Sequence, residues 1–373
     1  MACNENIGPI HFRAKTSIHI KSASMNICFV NSTRKWGGVK SWTLDIAKGL
    51  AEKGHVTHII ARPGVFVEKV KEAGLNAWEF SFGPDFNPLA VFSFIKFFKK
   101  KNIDILVVNV GKDMRTAGIA AKLLKIPVVH RIGLSGDLCN TFKIRNMHKW
   151  VRPHMLAPCQ EIRSGILRTL PFLNSHEFTV IITGKDSAQK TPEHIHAPLR
   201  FITTSQLNAD KGHKDVLMAV AKLKEQNHDF EYHIAGTGRI ESELKLLASQ
   251  LGINDKIVWH GFQKDVRMLL KASDVFILPS YREGLPNSLL EAMSEGLVCI
   301  ARDVGGIKEV WPKNNGFCLP AKADSSDFAL AMGRMLTMSH HELASLRRIF
   351  WEATPSRKSM IENMEAFLSS LNS

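Results

Sequence analysis

Long hydrophobic runs are missing from this sequence. No apolar stretch in its 373 residues reaches the ~18–20 residues a membrane span needs. Residues 1–24 carry no apolar core of the kind a secretory leader has. They also show neither helix nor strand period, so they read as a disordered extension outside the fold. Cysteine is scarce: Cys3, Cys28, Cys139, Cys159, Cys299 and Cys318 are scattered, with no C-x-x-C pair among them. That spacing argues against a disulfide framework or a zinc cluster and for a reducing, cytoplasmic setting. His194 and His196, and His340 with His341, lack further ligands at metal spacing, so no metal is expected. An internal repeat is also absent, as is any helix-turn-helix, RRM, KH or zinc-finger pattern. Nucleic acid is therefore not the expected partner.

What is present is an ordinary globular composition, 45% hydrophobic and 23% charged, in a length that suits two domains. The net charge of +14 is unevenly placed. Residues 1–190 hold 28 Lys and Arg against 13 Asp and Glu, whereas residues 191–373 hold 21 against 22. The positive excess lies wholly in the first half. It suits an acidic partner surface, such as anionic lipid or a phosphorylated glycolipid.

Strand and helix periods alternate along both halves. Residues 25–31, 56–61, 77–82, 103–110, 127–129 and 178–182 read as strands, with helices over 42–53, 66–74, 88–101 and 116–125. The stretch 141–171 is basic and helical, broken at Pro153, Pro158 and Pro171. In the second half, strands are expected at 200–204, 231–235, 257–259, 275–278 and 298–301. Helices are expected at 215–226, 241–252, 266–273 and 325–337, with a helical period over 340–373 interrupted at Pro355. Two doubly wound parallel α/β domains follow, 25–185 and 199–355, facing a cleft. The polar, proline-containing stretch 186–198 links them, and the last helix, 356–373, crosses back onto the first domain.

Helix 88–101 stands out. Phe92, Phe94, Phe97 and Phe98 form an apolar arc, and Lys96, Lys99, Lys100 and Lys101 gather towards its end. It reads either as a crossover helix packed on the sheet, its lysines favourable at the C-terminus, or as a basic amphipathic helix at a bilayer interface.

The chemistry concentrates in residues 280–296, SYREGLPNSLLEAMSEG. The apolar strand 275–278 ends at Pro279, a short polar loop follows, and Pro286 opens a helix that stops at Gly296. A strand, glycine turn and helix start form the junction at which open α/β sheets hold ligands. Backbone N–H groups at Gly284 and Leu285, with the helix N-terminus, favour an anion. Glu283 in the loop and Glu291 two turns down the helix bracket that anion, the layout of a nucleotide diphospho-sugar. Elsewhere, strand, loop and helix recur with Gly37-Gly38 after the first strand, where only glycine lets a backbone come so close to a ligand. In the second half they recur with Ser205 and Lys211, a good phosphate site because the ammonium acts as a point charge. Gly236 fits a loop where a nucleotide base would rest.

These residues resemble the signature of family 4 retaining glycosyltransferases with the GT-B fold. The match lies in Pro279-Ser280, Glu283-Gly284-Leu285-Pro286, Leu290-Glu291-Ala292-Met293 and the trailing Gly305-Gly306. The resemblance implies a sugar moved from a nucleotide diphospho-sugar to a hydroxyl with retention of configuration, without metal or cofactor. Glu283 would orient the sugar, Glu291 would hold the ribose, and Lys211 the phosphates. Gly37 and Gly38 would approach the donor phosphates and the acceptor. His130, read as lying just after a strand, would touch the donor sugar, with Arg131 and Asp137 on the acceptor side. One position departs from the family: Gln206 stands where it has an arginine, with Arg239 and Arg282 as candidate replacements. With the basic first half, the favoured acceptor is a glycan or an anionic glycolipid of the lipopolysaccharide type, met by a peripheral contact with the membrane. The rival reading is a nucleotide-sugar-binding protein without turnover.

Overall fold

The computed structural model describes residues 24–34, 37–189, 194–313 and 316–372. The expected extension, apart from Ser24, and part of the expected linker, residues 190–193, lie outside the described residues. Two parallel sheets organise the chain. The first holds β1 (Asn26–Asn31), β2 (Val56–Ala61), β3 (Asn76–Glu79), β4 (Ile105–Val108), β5 (Val128–Arg131), β6 (His154–Ala157) and β7 (Phe178–Val180). Their spatial order is β3-β2-β1-β4-β5-β6-β7. The second holds β8 (Leu199–Thr204), β9 (Phe230–Ala235), β10 (Ile257–Gly261), β11 (Val275–Leu278), β12 (Val298–Arg302) and β13 (Cys318–Leu319), in the order β10-β9-β8-β11-β12-β13.

The strands are short and nearly all apolar because helices cover both faces, as parallel sheets require. β4 (ILVV) and β11 (VFIL) are buried at every position. On one face of the first sheet Trp42, Ile46, Leu50, Phe66 and Val70 pack with Met360, Ile361, Met364 and Leu368 of the last helix, Arg357–Asn372. That helix lies on the first sheet although the chain has passed through the second. On the other face Phe82, Phe94 and Phe98 pack with Met114, Ala117 and Val151.

Helix Pro88–Lys101 divides its aromatic residues. Asn87 caps it by accepting from the Leu89 N–H, and Asn102 ends it in the left-handed region. Phe94 and Phe98 are buried, whereas Leu89 is 76% exposed and Phe92 55%. One edge is core and the other faces solvent beside the lysines.

In each sheet the strand order reverses once, between β1 and β4 and between β8 and β11. A doubly wound sheet opens a crevice at such a point, beyond the carboxyl ends of its strands. Four loops therefore matter most: those after β1, β4, β8 and β11.

Candidate active site

The loop after β11 is built by close approach. A Cβ at Gly284 would overlap the Gly133 carbonyl oxygen of the first domain, and one at Gly305 would overlap the Glu283 carbonyl. The Gly306 N–H donates to the Gly284 carbonyl at 2.7 Å, so the glycine pair that follows β12 holds the turn that carries Glu283. Helix Asn287–Ser294 begins directly after, with Pro286 at its N-cap rather than inside its first turn. Its Asn287 side chain donates to the Gly38 carbonyl at 3.0 Å, tying the helix start to the glycine loop of the first domain.

The loop after β8 brings the cation. Residues Ala209–Lys211 form a single 3-10 turn, and Gly212, at φ +68°, lets the chain turn into helix His213–Glu225 against the Pro279 carbonyl. Lys211 Nζ then stands 2.6 Å from Glu283 Oε1. The two charged candidates thus meet at the helix N-terminus. Arg302 braces both loops from below. Fully buried, it donates to the Pro279 carbonyl at 2.7 Å and to Asp215 Oδ2 at 2.6 Å, while the Tyr281 hydroxyl donates to the same Asp215 oxygen.

Ser205 and Gly236 lie side by side, since a Cβ on Gly236 would overlap the Ser205 carbonyl. The Ser205 hydroxyl meets His213 Nε2 at 3.0 Å. Burial pulls the His213 imidazole down to about 4, so it stays neutral. The Gln206 side chain accepts from Asn208 Nδ2 at 3.0 Å, and Asn208 Oδ1 in turn accepts from the Arg239 N–H. Gln206 thus helps to shape this loop. Of the two arginines considered as replacements, Arg282 lies against Gly136 across the cleft.

On the first-domain side, His130 departs from its expected place. It sits inside β5 and not after it, and is 1% exposed. Its strand carries two polar residues, His130 and Arg131, which shortened the run legible as strand. The His148 Nδ1–H donates to the Ile144 carbonyl at 3.0 Å, which leaves Nε2 to accept from His130 Nδ1–H at 3.2 Å. The rings stack, and burial keeps both imidazoles below their ordinary pKa range, hence neutral. His130 lines a small cavity with Gly111, Arg115 and Lys143. Arg131 is buried with its guanidinium over the Trp42 ring at 4.4 Å, and Asp137 accepts from the N–H groups of Gly133 and Leu134. Asp137 thereby shapes the loop that meets Gly284.

Glu291 faces a residue that sequence reasoning passed over. Lys185, assigned only as the end of a domain, is buried, with Nζ 2.8 Å from Asp45 Oδ2 and 3.4 Å from Glu291 Oε1. Burial pulls its pKa down, yet Glu291 and Asp45 together hold it above the ordinary lysine range. For Glu291, burial pushes the carboxyl up and Lys185 offsets part of the rise. Nothing local marks Lys185, because its partners are remote in the chain. Asp113 was missed for the same reason. Fully buried after β4, it accepts from the Ser32 N–H at 2.9 Å and the Val110 N–H at 3.3 Å, joining the loops after β1 and β4.

Among the described residues no helix is long and apolar enough to cross a membrane, and no three or more His, Cys, Asp or Glu are grouped to hold a metal ion.

Two parallel-sheet domains facing a cleft form a GT-B fold, and comparison with known proteins gives the same fold class. Residues 36–163 match the family described as Glycosyltransferase Family 4, and residues 185–357 match Glycosyl transferases group 1. The two matches fall one on each domain, and both families are glycosyltransferase families. Among curated relatives, the putative colanic acid biosynthesis glycosyltransferase WcaL of Escherichia coli K12 is 27% identical over 262 residues. That alignment covers 65% of this chain and 63% of WcaL, so the chain spans less than two thirds of that relative. Among solved structures, a glycosyltransferase from Rickettsia africae superposes with a TM-score of 0.78 at 19% identity, covering 94% of this chain and 99% of its own. HepE of Anabaena, solved in complex with UDP and glucose, superposes with a TM-score of 0.77 at 18% identity, covering 93% and 100%.

Proposed function

We propose that the protein transfers a sugar from a nucleotide diphospho-sugar to a hydroxyl of a glycan or glycolipid of the cell envelope, with retention at the anomeric carbon. The observation that carries this reading is the Lys211–Glu283 pair, 2.6 Å apart at the start of helix Asn287–Ser294. On this reading the Lys211 ammonium, the Gly284 and Leu285 amides and the helix N-terminus act together to stabilise the charge that grows on a leaving diphosphate. Donor binding parts the pair: Lys211 turns to the phosphates and Glu283 to the sugar hydroxyls. Glu291 holds the ribose, and Ser205 and Gly236 border the base. Gly37, Gly38 and His130 close the site from the first domain, His130 as a neutral imidazole. These groups offset the charge on the leaving diphosphate, so the proposed reaction is metal-independent.

The kinship to WcaL favours a cell-envelope polysaccharide, and the UDP held by HepE makes a UDP-sugar the first donor to test. The basic first half, with Leu89 and Phe92 exposed beside Lys96, Lys99 and Lys100, supports peripheral contact with an anionic membrane that carries the acceptor. The test is incubation with UDP-, GDP- and ADP-sugars, with and without EDTA, following release of free nucleotide. Release from one donor, unaffected by EDTA, supports the reading. Tight calorimetric binding with no release from any donor, even with glycolipid extracts as acceptor, supports a sugar-nucleotide-binding protein instead.

A further inference from the structure

The two chain crossings between the domains run side by side at Lys185. Its N–H donates to the Pro355 carbonyl at 2.8 Å, and its own carbonyl accepts from the Arg357 N–H at 3.1 Å. From there its side chain points inward and holds one residue of each domain. Asp45 lies on helix Gly38–Glu52, which follows the first domain's glycine loop, and Glu291 lies on the helix that opens on the cleft. An exposed pair of this kind would contribute little, but Lys185 is only 6% exposed. Removing its ammonium would leave Asp45 and Glu291 as like charges across the space it filled. One of them would then take up a proton or turn away. A carboxylate has two oxygens with about four lone-pair sites. Glu291 therefore keeps the capacity to accept from two hydroxyls while Oε1 faces Lys185.

We propose that Lys185 is a positioning residue for the donor ribose: from the domain crossing it fixes the Glu291 carboxylate in the orientation that accepts the ribose hydroxyls. This rests on the reading of Glu291 as the ribose ligand given above. Lys185 does not touch the donor and acts only through Glu291. Because the same ammonium holds Asp45, ribose binding is tied to the arrangement of the two domains where the chain crosses between them.

The test uses the full chain and calorimetric titration with UDP, GDP and ADP, each beside its 2′-deoxy counterpart. A hydroxyl donating to a carboxylate contributes ~1.5–3 kcal/mol, so the protein should prefer the ribo form of its nucleotide by roughly 10–100-fold. Lys185→Met should bring that preference within about twofold while the affinity for the 2′-deoxy form stays unchanged, and Lys185→Arg should restore part of it. A purely structural role would weaken both forms alike. If Lys185→Met unfolds, the double variant Lys185→Met/Asp45→Leu removes the orphaned charge of the first domain and should show the same narrowing. Lys185→Met, or that double variant, retaining the full ribo preference while Glu291→Gln loses it overturns the proposal and leaves the Glu291 reading intact. The Glu291 reading fails, and the proposal with it, if the unaltered protein shows no ribo preference or binds none of the three, or if Glu291→Gln keeps the preference.

Discussion

The two walls of the cleft are made differently. The second-domain wall is backbone against backbone: Gly284 on the Gly133 carbonyl, Gly236 on the Ser205 carbonyl, and Gly212 on the Pro279 carbonyl, with buried Arg302 beneath. The first-domain wall is built with side chains: His130 on His148, Arg131 on Trp42, and the Asp113 carboxylate on the Ser32 N–H of the loop after β1. The first half also carries the charge, 28 basic against 13 acidic residues, while the second half is near neutral. A wall of glycines can follow a fixed ligand such as a diphosphate, whose geometry does not vary. A wall of side chains can be changed residue by residue, which suits an acceptor that differs from enzyme to enzyme.

The sharpest way to break this comparison is to remove the two charges on the glycine wall. Glu283→Ala and Lys211→Met should each lower kcat/KM by roughly 10²–10³-fold, the scale for losing one group that stabilises developing charge. Since the residues pair at 2.6 Å, the double variant should fall short of the product of the two losses. Unchanged transfer by Glu283→Ala, measured with the identified donor and acceptor, would remove the site assignment.

Next come the glycines themselves. Gly284→Ala places a methyl on the Gly133 carbonyl and must push the domains apart, so kcat/KM should drop by about 10–100-fold, the range for a misplacement near 1 Å. Gly37→Ala is the control. Gly37 is in extended backbone, and a Cβ there meets nothing within 4 Å. The Tm of Gly37→Ala should therefore stay at that of the unaltered protein, whereas Gly284→Ala should lower Tm by a few degrees. Equal losses of Tm from both variants, in thermal unfolding, would erase the distinction between the walls.

The same contrast explains what could be read from the chain. Glu283, Gly284, Leu285 and Pro286 are consecutive, and Glu291 follows within one helix, so this stretch of the glycine wall is compact in sequence and its order of strand, loop and helix survives in the fold. The other wall is assembled from the ends of β1, β4, β5 and β6. β6, four residues between Pro153 and Pro158, is too short to show a period and went unread. Helix Gly38–Glu52 begins four residues before the expected Trp42 because Gly38, Lys40 and Ser41 look like loop, although Lys40 is buried. Lys185 and Asp113 act on residues far away in the chain, where no local pattern reports them.

The charge difference predicts a smaller and more general effect. Sedimentation with vesicles of anionic lipid should pull down the protein at low salt and release it as ionic strength rises past the range where the Debye length falls to about 8 Å. Leu89→Asp with Phe92→Asp, both on the exposed edge of helix Pro88–Lys101, should weaken that binding by about tenfold and leave transfer to a soluble acceptor unchanged. No sedimentation at low salt would remove the membrane contact.

The least disruptive probe is pH, through Asp113. Burial pushes its carboxyl up, from an ordinary value of 3.8 to about 7, even though Ser32 and Val110 donate to it. A carboxyl raised in this way is held protonated by the folded state where the unfolded chain would release the proton. Its contribution to stability is thus fully present below about pH 4 and is lost as pH rises through about 7. Asp113→Asn has nothing to titrate there. The Tm of the unaltered protein minus that of the variant should therefore fall between pH 5 and pH 8, by a few degrees. His130 and His148, whose pKa values burial lowers, act in the opposite sense, since the unfolded chain takes up protons below about pH 6.5. Both proteins share that pair, so it cancels in the difference. Parallel Tm profiles would mean that Asp113 stays ionised under the loop after β1, with its two backbone donors outweighing its burial.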